Sequence, residues 1–195
     1  MATQNFDVVV VGAGPGGYVC AIRSAQMGLK TAIIEREYMG GVCLNVGCIP
    51  SKALITAGHF LHKMEHNASE MGLTLPGKVK VDMKQMQTWK KSVCDRMAGG
   101  VEQLLKGNTV TILRGEASFK TTTELTVKTK TGTESVTAKN FVIATGSRPI
   151  EIPGFAFDEK NVLSSTGGLA LDERIDSAVV IGGGYIGLEI GSMVS

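Results

Sequence analysis

The opening residues set a pattern that returns near the other end of the chain. FDVVVVG (6–12) is a continuous apolar, β-branched run, as expected for a strand buried on both faces of a parallel sheet. GAGPGG follows. YVCAIRSAQMG (18–28) then carries apolar residues at helical spacing, with Gly28 placed as a C-terminal cap. KTAIIE (30–35) is a second buried strand, so the first 35 residues predict a βαβ unit. A helix is predicted through ALITAGHFLHKMEH (53–66), and another from Asp82, as its cap, to Gly107. In the latter, Met83, Met86, Trp89, Val93, Met97, Val101 and Leu104 form a stripe expected to pack in the core.

From 109 to 145 the period shortens. TVTILRG, EASFK, ELTVKTK, ESVTAKN and FVIATG read as short strands, with KTGTE as a hairpin turn, which predicts an antiparallel meander. RPIEIPGF (148–155) holds two prolines and reads as a linker. SAVVIGGGYIGLEIGSMVS (177–195) then repeats the opening order of apolar strand, glycine turn and helix start. The expected organisation is α/β: residues 1–147 form a Rossmann-like domain with a parallel sheet and a β-meander. Residues 148–195 are a linker and the start of a second, similar domain.

The glycines give the turns their chemistry. Gly12, Gly14 and Gly17 make G-x-G-x-x-G between strand and helix, and Glu35 ends the next strand, the context of a dinucleotide site. Gly12 permits the tight turn, Gly14 lets the backbone approach a pyrophosphate, and Gly17 allows close helix–strand packing. The helix N-terminus offers N–H groups and positive partial charge to phosphates. Glu35 would accept hydrogen bonds from a ribose, and its charge disfavours a 2′-phosphate there. Gly182, Gly184 and Gly187 repeat the motif, so two dinucleotides are expected, as in enzymes that pass electrons between a held flavin and a diffusible nicotinamide.

Composition narrows the remaining classes. A net charge of +2, with 43% hydrophobic and 19% charged residues, gives no basis for nucleic acid or an anionic membrane as partner. No uninterrupted apolar stretch approaches 18 residues, so no spanning helix is expected. The apolar run begins too early for a signal or transit peptide, so a reducing compartment is expected. There, a close cysteine pair is redox-active or metal-binding.

Cys43 and Cys48 lie in GGVCLNVGCIPSK (40–52). Residues five apart in a regular helix have Cα atoms about 8–9 Å apart, beyond the ~7 Å reach of a disulfide. Gly47 and Pro50 permit a distorted turn that would allow a short-loop, reducible bond. A thiolate near a helix N-terminus is favoured and leaves readily. The competing reading is zinc, held by both cysteines and two of His59, His62 and His66, although the spacing matches no common finger. Cys20 and Cys94 fall in helical patterns and are expected as buried small hydrophobes.

Taken in order, VVVGAGPGGYVCAI, TAIIE, GGVCLNVGCIPSK, FVIATGSRP and VVIGGGYIGLE resemble the flavin-dependent pyridine nucleotide–disulfide oxidoreductases over the entire chain. CLNVGCIPSK and IGGGYIGLE resemble their lipoamide branch; glutathione reductases tend to have a lysine where this chain has Ser51, and a mercuric reductase-like reading stays open.

The resemblance implies oxidation of dihydrolipoamide to lipoamide with FAD as relay and NAD+ as acceptor. The partners implied are lipoyl groups of 2-oxo acid dehydrogenase complexes and a second copy in a homodimer. A cytoplasmic location is implied, or the mitochondrial matrix in a eukaryote. Gly12, Gly14, Pro15, Gly16, Gly17, Glu35 and Arg36 would hold the ADP half of FAD, with Gly40, Gly41 and Val42 near the pyrophosphate. Ala117 would lie on the adenine side, and Thr145, Gly146 and Ser147 at the flavin. Cys43 would exchange with substrate, Cys48 would face the flavin, and Lys52 would pair with Glu189 beside it. Gly182, Gly183, Gly184, Tyr185, Ile186, Gly187 and Glu189 would open the NAD site. The family's chains are more than twice as long; the segment completing the FAD domain and the domain with a catalytic His–Glu pair have no counterpart here. A non-catalytic FAD-domain fragment is the alternative this implies.

Overall fold

The structure is a computed structural model that describes residues 4–195. Its contacts divide the chain into two compact units. One takes in residues up to Asn45 with Asp95–Arg148, and the other Val46–Cys94 with Pro149–Ser195.

The first unit is built on six strands: β1 (Gln4–Val11), β2 (Thr31–Glu35), β3 (Thr111–Arg114), β4 (Glu116–Phe119), β5 (Glu124–Lys128) and β6 (Thr133–Ile143). Their order is β3-β2-β1-β6-β5-β4. The first four run parallel, and β6, β5 and β4 pair antiparallel. Val9 and Val10 are both fully buried although they point to opposite faces, as a doubly covered strand requires. Helix α1 (Pro15–Gln26) packs on β1 and β2.

One cluster joins Val9, Ala32, Ile34 and Leu113 of the parallel strands to Leu125, Val127, Val136 and Ala138 of the meander. The meander therefore folds over one face of its own sheet. Gly115 makes the corner, as the single residue between β3 and β4 at opposite ends of the strand order. A Cβ there would lie 2.5 Å from the carbonyl oxygen of Lys128. Two strands expected separately, ESVTAKN and FVIATG, are the single long β6. Its start pairs with β5 while most of its length pairs with β1, so no turn is needed between them.

In the second unit, α3 (Cys48–Asn67) and the first half of α4 (Met83–Gly107) accompany the short α5 (Ser165–Leu169) and α6 (Tyr185–Val194). Gln87 Nε2 donates to the carbonyls of Leu169 (3.2 Å) and Leu171 (2.6 Å), and Lys90 Nζ donates to Leu169 (2.6 Å), so α4 caps the end of α5. Burial holds the Lys90 amine below its usual range. The stripe expected on α4 is only partly core. Cys94, Val101 and Leu105 are buried, whereas Trp89, Met97 and Leu104 are exposed, because the packed face is rotated from the one the spacing suggested.

The strand expected at 178–182 does not form; residues 177–183 are irregular and α6 follows directly. A strand needs a neighbour for its backbone groups, and none of the described strands pairs there. Within residues 41–67 an 18-residue stretch reaches a mean hydropathy of 1.2, so by length and composition alone a membrane-crossing helix fits here, where the sequence led to none being expected. Lys52, Lys63 and Glu65 nevertheless break any uninterrupted apolar run between residues 41 and 67. The stretch is also interrupted at Val46 and Gly47, and such a break is costly in lipid.

Asp158 closes a loop in this unit by accepting the N–H groups of Lys160, Asn161 and Val162, each at 2.8 Å. These bonds hold its carboxyl down at about 2, against an ordinary 3.8. A depressed folded value means the contribution is fully present above pH ~4 and is lost as pH falls from there towards about 2. Amide exchange at residues 160–162 is therefore expected to accelerate in that window relative to the intrinsic rate. In Asp158→Ala it should be fast at every pH; unchanged protection in the variant would contradict this assignment.

Candidate functional site

In the first unit, β1 runs into a turn that only glycine can make. Gly12 has φ +102°, and a Cβ there would lie 2.2 Å from the carbonyl oxygen of Ala144. Ala144 N–H donates to Val11 O at 2.8 Å, so β1 and β6 end side by side and Thr145, Gly146 and Ser147 leave beside the turn. A Cβ on Gly17 would lie 1.8 Å from Gly12 O, which is the close helix–strand approach expected of that glycine. Gly14 is the N-cap of α1 and contributes no side-chain cap, with Pro15 at the first helical position. A Cβ on Gly14 would meet only Gly41 Cα, at 4.0 Å, and one on Gly16 nothing within 4 Å. Open space thus lies before an uncapped helix N-terminus, the requirement for a diphosphate.

Glu35, expected to hold a ribose, first braces this loop. Its Oε2 accepts from Ala13 N at 2.7 Å, and its Oε1 accepts from Glu37 N (2.8 Å) and Tyr38 N (3.2 Å). A carboxylate has about four acceptor positions, so room remains for one hydroxyl. Gly115 N–H donates to Glu35 O at 2.9 Å, and Arg36 pairs with Glu116 at 3.4 Å. Glu35, Arg36 and Ala117 are thereby gathered at one end of the unit.

Gly40 and Gly41 follow in left-handed backbone, and a Cβ on Gly41 would lie 2.5 Å from Gly14 Cα. Two backbones meet here with no side chain between them. The short helix α2 (Gly41–Asn45) carries exposed Val42 and half-buried Cys43. Asn45 was missed from sequence: its Nδ2 donates to Met39 O (2.9 Å) and Gly41 O (2.8 Å), pinning the turn. An asparagine four residues after a glycine was its only signal, and many loops share that.

In the second unit, Cys48 is the exposed first residue of α3, and its N-cap, Gly47, provides no side-chain cap. Cys48 is a free thiol, so the short-loop disulfide that Gly47 and Pro50 would allow is not formed in the structure. Of the thiols expected to be buried, Cys94 is, while Cys20 is only half-buried. Lys52 is exposed, and Glu189 on α6 takes its bond from the preceding residue. Buried Ser51 Oγ lies 3.2 Å from both Glu189 Oε2 and Cys48 O and shares its single proton between them. The expected Lys52–Glu189 pair is replaced by this hydroxyl contact because Ser51, not Lys52, is on the packed face of α3.

The second glycine turn repeats the first locally: Gly182 has φ +101°, Gly184 is an N-cap without a side-chain cap, and a Cβ on Gly187 would lie 2.9 Å from Gly182 O. Gly183 is open, and Tyr185 is exposed while Ile186 follows it on α6. The zinc alternative fails on distance. Cys48 and His59 are separated by eleven positions of continuous helix, about 16 Å along the axis. Among the described residues, no group of three or more His, Cys, Asp or Glu side chains is placed to hold a metal.

Comparison with known proteins follows the same lines. The family described as pyridine nucleotide-disulphide oxidoreductase matches residues 6–195. The chain is 53% identical to the dihydrolipoyl dehydrogenase of Bacillus subtilis over 95% of its own length and 39% of the relative's. It is 54% identical to that of Trypanosoma brucei brucei over 96% of the chain and 40% of the relative. The chain therefore spans about two-fifths of the curated relatives it matches. Among solved structures, the Cu(II) complex of the HOCl-induced flavoprotein disulfide reductase RclA from Escherichia coli aligns with TM-score 0.78. It is 26% identical over 98% of this chain and 40% of that one.

Proposed function

Because this chain belongs to the pyridine nucleotide-disulphide oxidoreductase family, we propose that it carries the FAD-binding and dithiol parts of a dihydrolipoyl dehydrogenase. The whole protein would oxidise dihydrolipoamide to lipoamide with NAD+ as acceptor. The observation that carries this reading is the glycine cradle before α1, open at Gly14 and Gly16 and flanked by Thr145–Ser147. Identities of about 50% to proteins named dihydrolipoyl dehydrogenase support the branch.

The residues present fit FAD. Gly12–Gly17 with Gly41 and Val42 would take its diphosphate, and Glu35, Arg36 and Ala117 its adenosine end. Thr145–Ser147 and Lys52 would lie towards the flavin, and the Gly182–Glu189 turn would open the nicotinamide site. Bound FAD supplies acceptance of two electrons from the dithiol and their delivery to NAD+.

The chain's own chemistry is thiol exchange. A thiolate of dihydrolipoamide attacks Cys43 Sγ in a Cys43–Cys48 disulfide; the S–S bond breaks and Cys48 leaves as thiolate. The second substrate thiol attacks the mixed disulfide, releasing lipoamide and leaving two reduced cysteines, so two electrons have moved from substrate to protein. Cys48 begins a 20-residue helix, whose positive end stabilises the departing thiolate. Lipoyl groups of 2-oxo acid dehydrogenase complexes and a second copy are the proposed partners.

Gly14→Ala tests the cradle. Its φ of −70° suits any residue and its nearest neighbour is 4.0 Å away, so stability should change by less than about 0.5 kcal/mol. FAD affinity, measured by equilibrium dialysis, should fall at least about tenfold, because the methyl occupies the diphosphate's approach. Equal affinity would place the diphosphate elsewhere. Assaying the full-length protein against dihydrolipoamide, glutathione and Hg(II) separates the branches, and no activity on the first would exclude the lipoamide reading.

A further inference from the structure

The chain has three histidines, and all lie within eight residues on one helix, at positions 59, 62 and 66 of α3. They fall on the exposed side of its C-terminal half. His62 and His66 are one turn apart, and their rings already meet, with centroids 4.4 Å apart and planes tilted by 42°. Such a tilted approach is not a parallel stack. It brings two exposed imidazoles edge to edge on one turn of helix.

We propose that His62 and His66 form a two-imidazole chelate for a divalent late first-row transition metal, Ni(II), Cu(II) or Zn(II), with water completing the coordination. Side chains four apart on a helix have Cβ atoms about 5–6 Å from each other. Metal–imidazole bonds of about 2.0–2.1 Å need the two nitrogens about 3 Å apart. Small rotations about the side-chain bonds close that gap from the ring separation observed, so the backbone of α3 supplies the preorganisation. Imidazole selects the metals named over Mg(II) and Ca(II), which prefer oxygen ligands.

His59 is not part of the set, since no three-ligand group is assembled here. Neither is Cys48, fourteen positions before His62 on the same helix and about 21 Å away along its axis. The site is thus independent of the dithiol and would bind metal whatever the cysteines' oxidation state. Lys63 and Glu65, both exposed, are the charged neighbours on this part of the helix and offset one another in sign.

Ni(II) is the probe, because it does not oxidise thiols. Titration of the untagged chain by calorimetry should show one saturable site. His62→Asn and His66→Asn should each weaken it at least about tenfold, since the second ligand's high effective concentration is lost. The double variant should abolish it. His59→Asn and Cys48→Ser should leave the affinity within about twofold. Bound Ni(II) should slow amide exchange in residues 60–67 but not at Cys48. All three histidines are exposed, so unchanged far-UV circular dichroism is expected in every variant; His62→Gln replaces any that fails this check. No saturable binding, binding retained in the double variant, or a loss in His59→Asn or Cys48→Ser equal to that in His62→Asn would overturn the proposal.

Discussion

Gly17→Ala is expected to be among the most destabilising single-methyl changes this chain can suffer, while the same change one residue earlier is expected to help. A Cβ at Gly17 would sit 1.8 Å from the carbonyl oxygen of Gly12, and 2.9 Å from its carbonyl carbon. Both are backbone atoms of a turn already fixed by the pairing of β1 with β6, so neither can swing aside as a side chain would. Relief requires α1 to lift from the sheet, exposing fully buried Ala21 and Val10. Overpacking a rigid site costs about 1–3 kcal/mol, and with the displaced helix the loss should reach ~3 kcal/mol or more, a large share of the 5–15 kcal/mol typical of a domain. At Gly16, also in α1, an added Cβ meets nothing, and replacing a helical glycine by alanine gains about 0.5–1 kcal/mol. Urea denaturation of the two variants should move the midpoints in opposite directions. A Gly17→Ala midpoint equal to that of the parent would mean that α1 and β1 do not make the approach described.

Cys48→Ser is expected to remove thiol exchange altogether. A serine oxygen cannot form the disulfide, so after mild oxidation the parent should release two additional thiols on reduction by excess dithiol and the variant none. In the full-length protein, anaerobic bleaching of the flavin by dihydrolipoamide should slow by roughly four orders of magnitude or more, as when other enzymes lose a reacting side chain. Cys94→Ser is the control, because Cys94 is 5% exposed on α4. It should lower stability while leaving the count of exchangeable thiols unchanged. A Cys48→Ser chain that still cycles two thiols would assign the chemistry to another pair.

What could be read from sequence was whatever the local chain fixes by itself. FDVVVVG, the glycine turn and TAIIE announced β1, α1 and β2 because burial on both faces and the needs of a tight turn leave marks on consecutive residues. The contact of Gly17 with Gly12 was legible for the same reason, since both belong to one turn. Contacts set by distant partners were not legible. The direction of the packed face of α4 depends on neighbours that spacing does not identify, so Trp89 and Leu104 were expected inside. AVVIG has every local mark of a strand and does not form one, because a strand is a pairing and not a segment. Ser51 bonds Glu189 where Lys52 was expected to, since one step along α3 rotates a side chain by about 100°. The brace from Glu35 to Ala13 was hidden too, because a carboxylate at that position has two partners available and sequence names only the ligand.

The long strand β6 has a consequence for how this chain comes into being on a ribosome. β1 and β6 pair side by side across a separation of about 130 residues. At elongation rates of about 5–20 residues per second, β1 waits roughly 7–26 s before its partner is made. For that interval the edge of Val8–Val11, which ends as the centre of the sheet, is unpaired on the side that β6 will occupy, in a segment as apolar and β-branched as any in the chain. Pairing with the wrong strand is fastest while the right one does not yet exist. The yield of soluble chain should therefore depend on translation speed through residues 36–132 and on chaperones that hold extended apolar segments. Faster decoding of that stretch shortens the exposure, although it alters nothing in the finished fold.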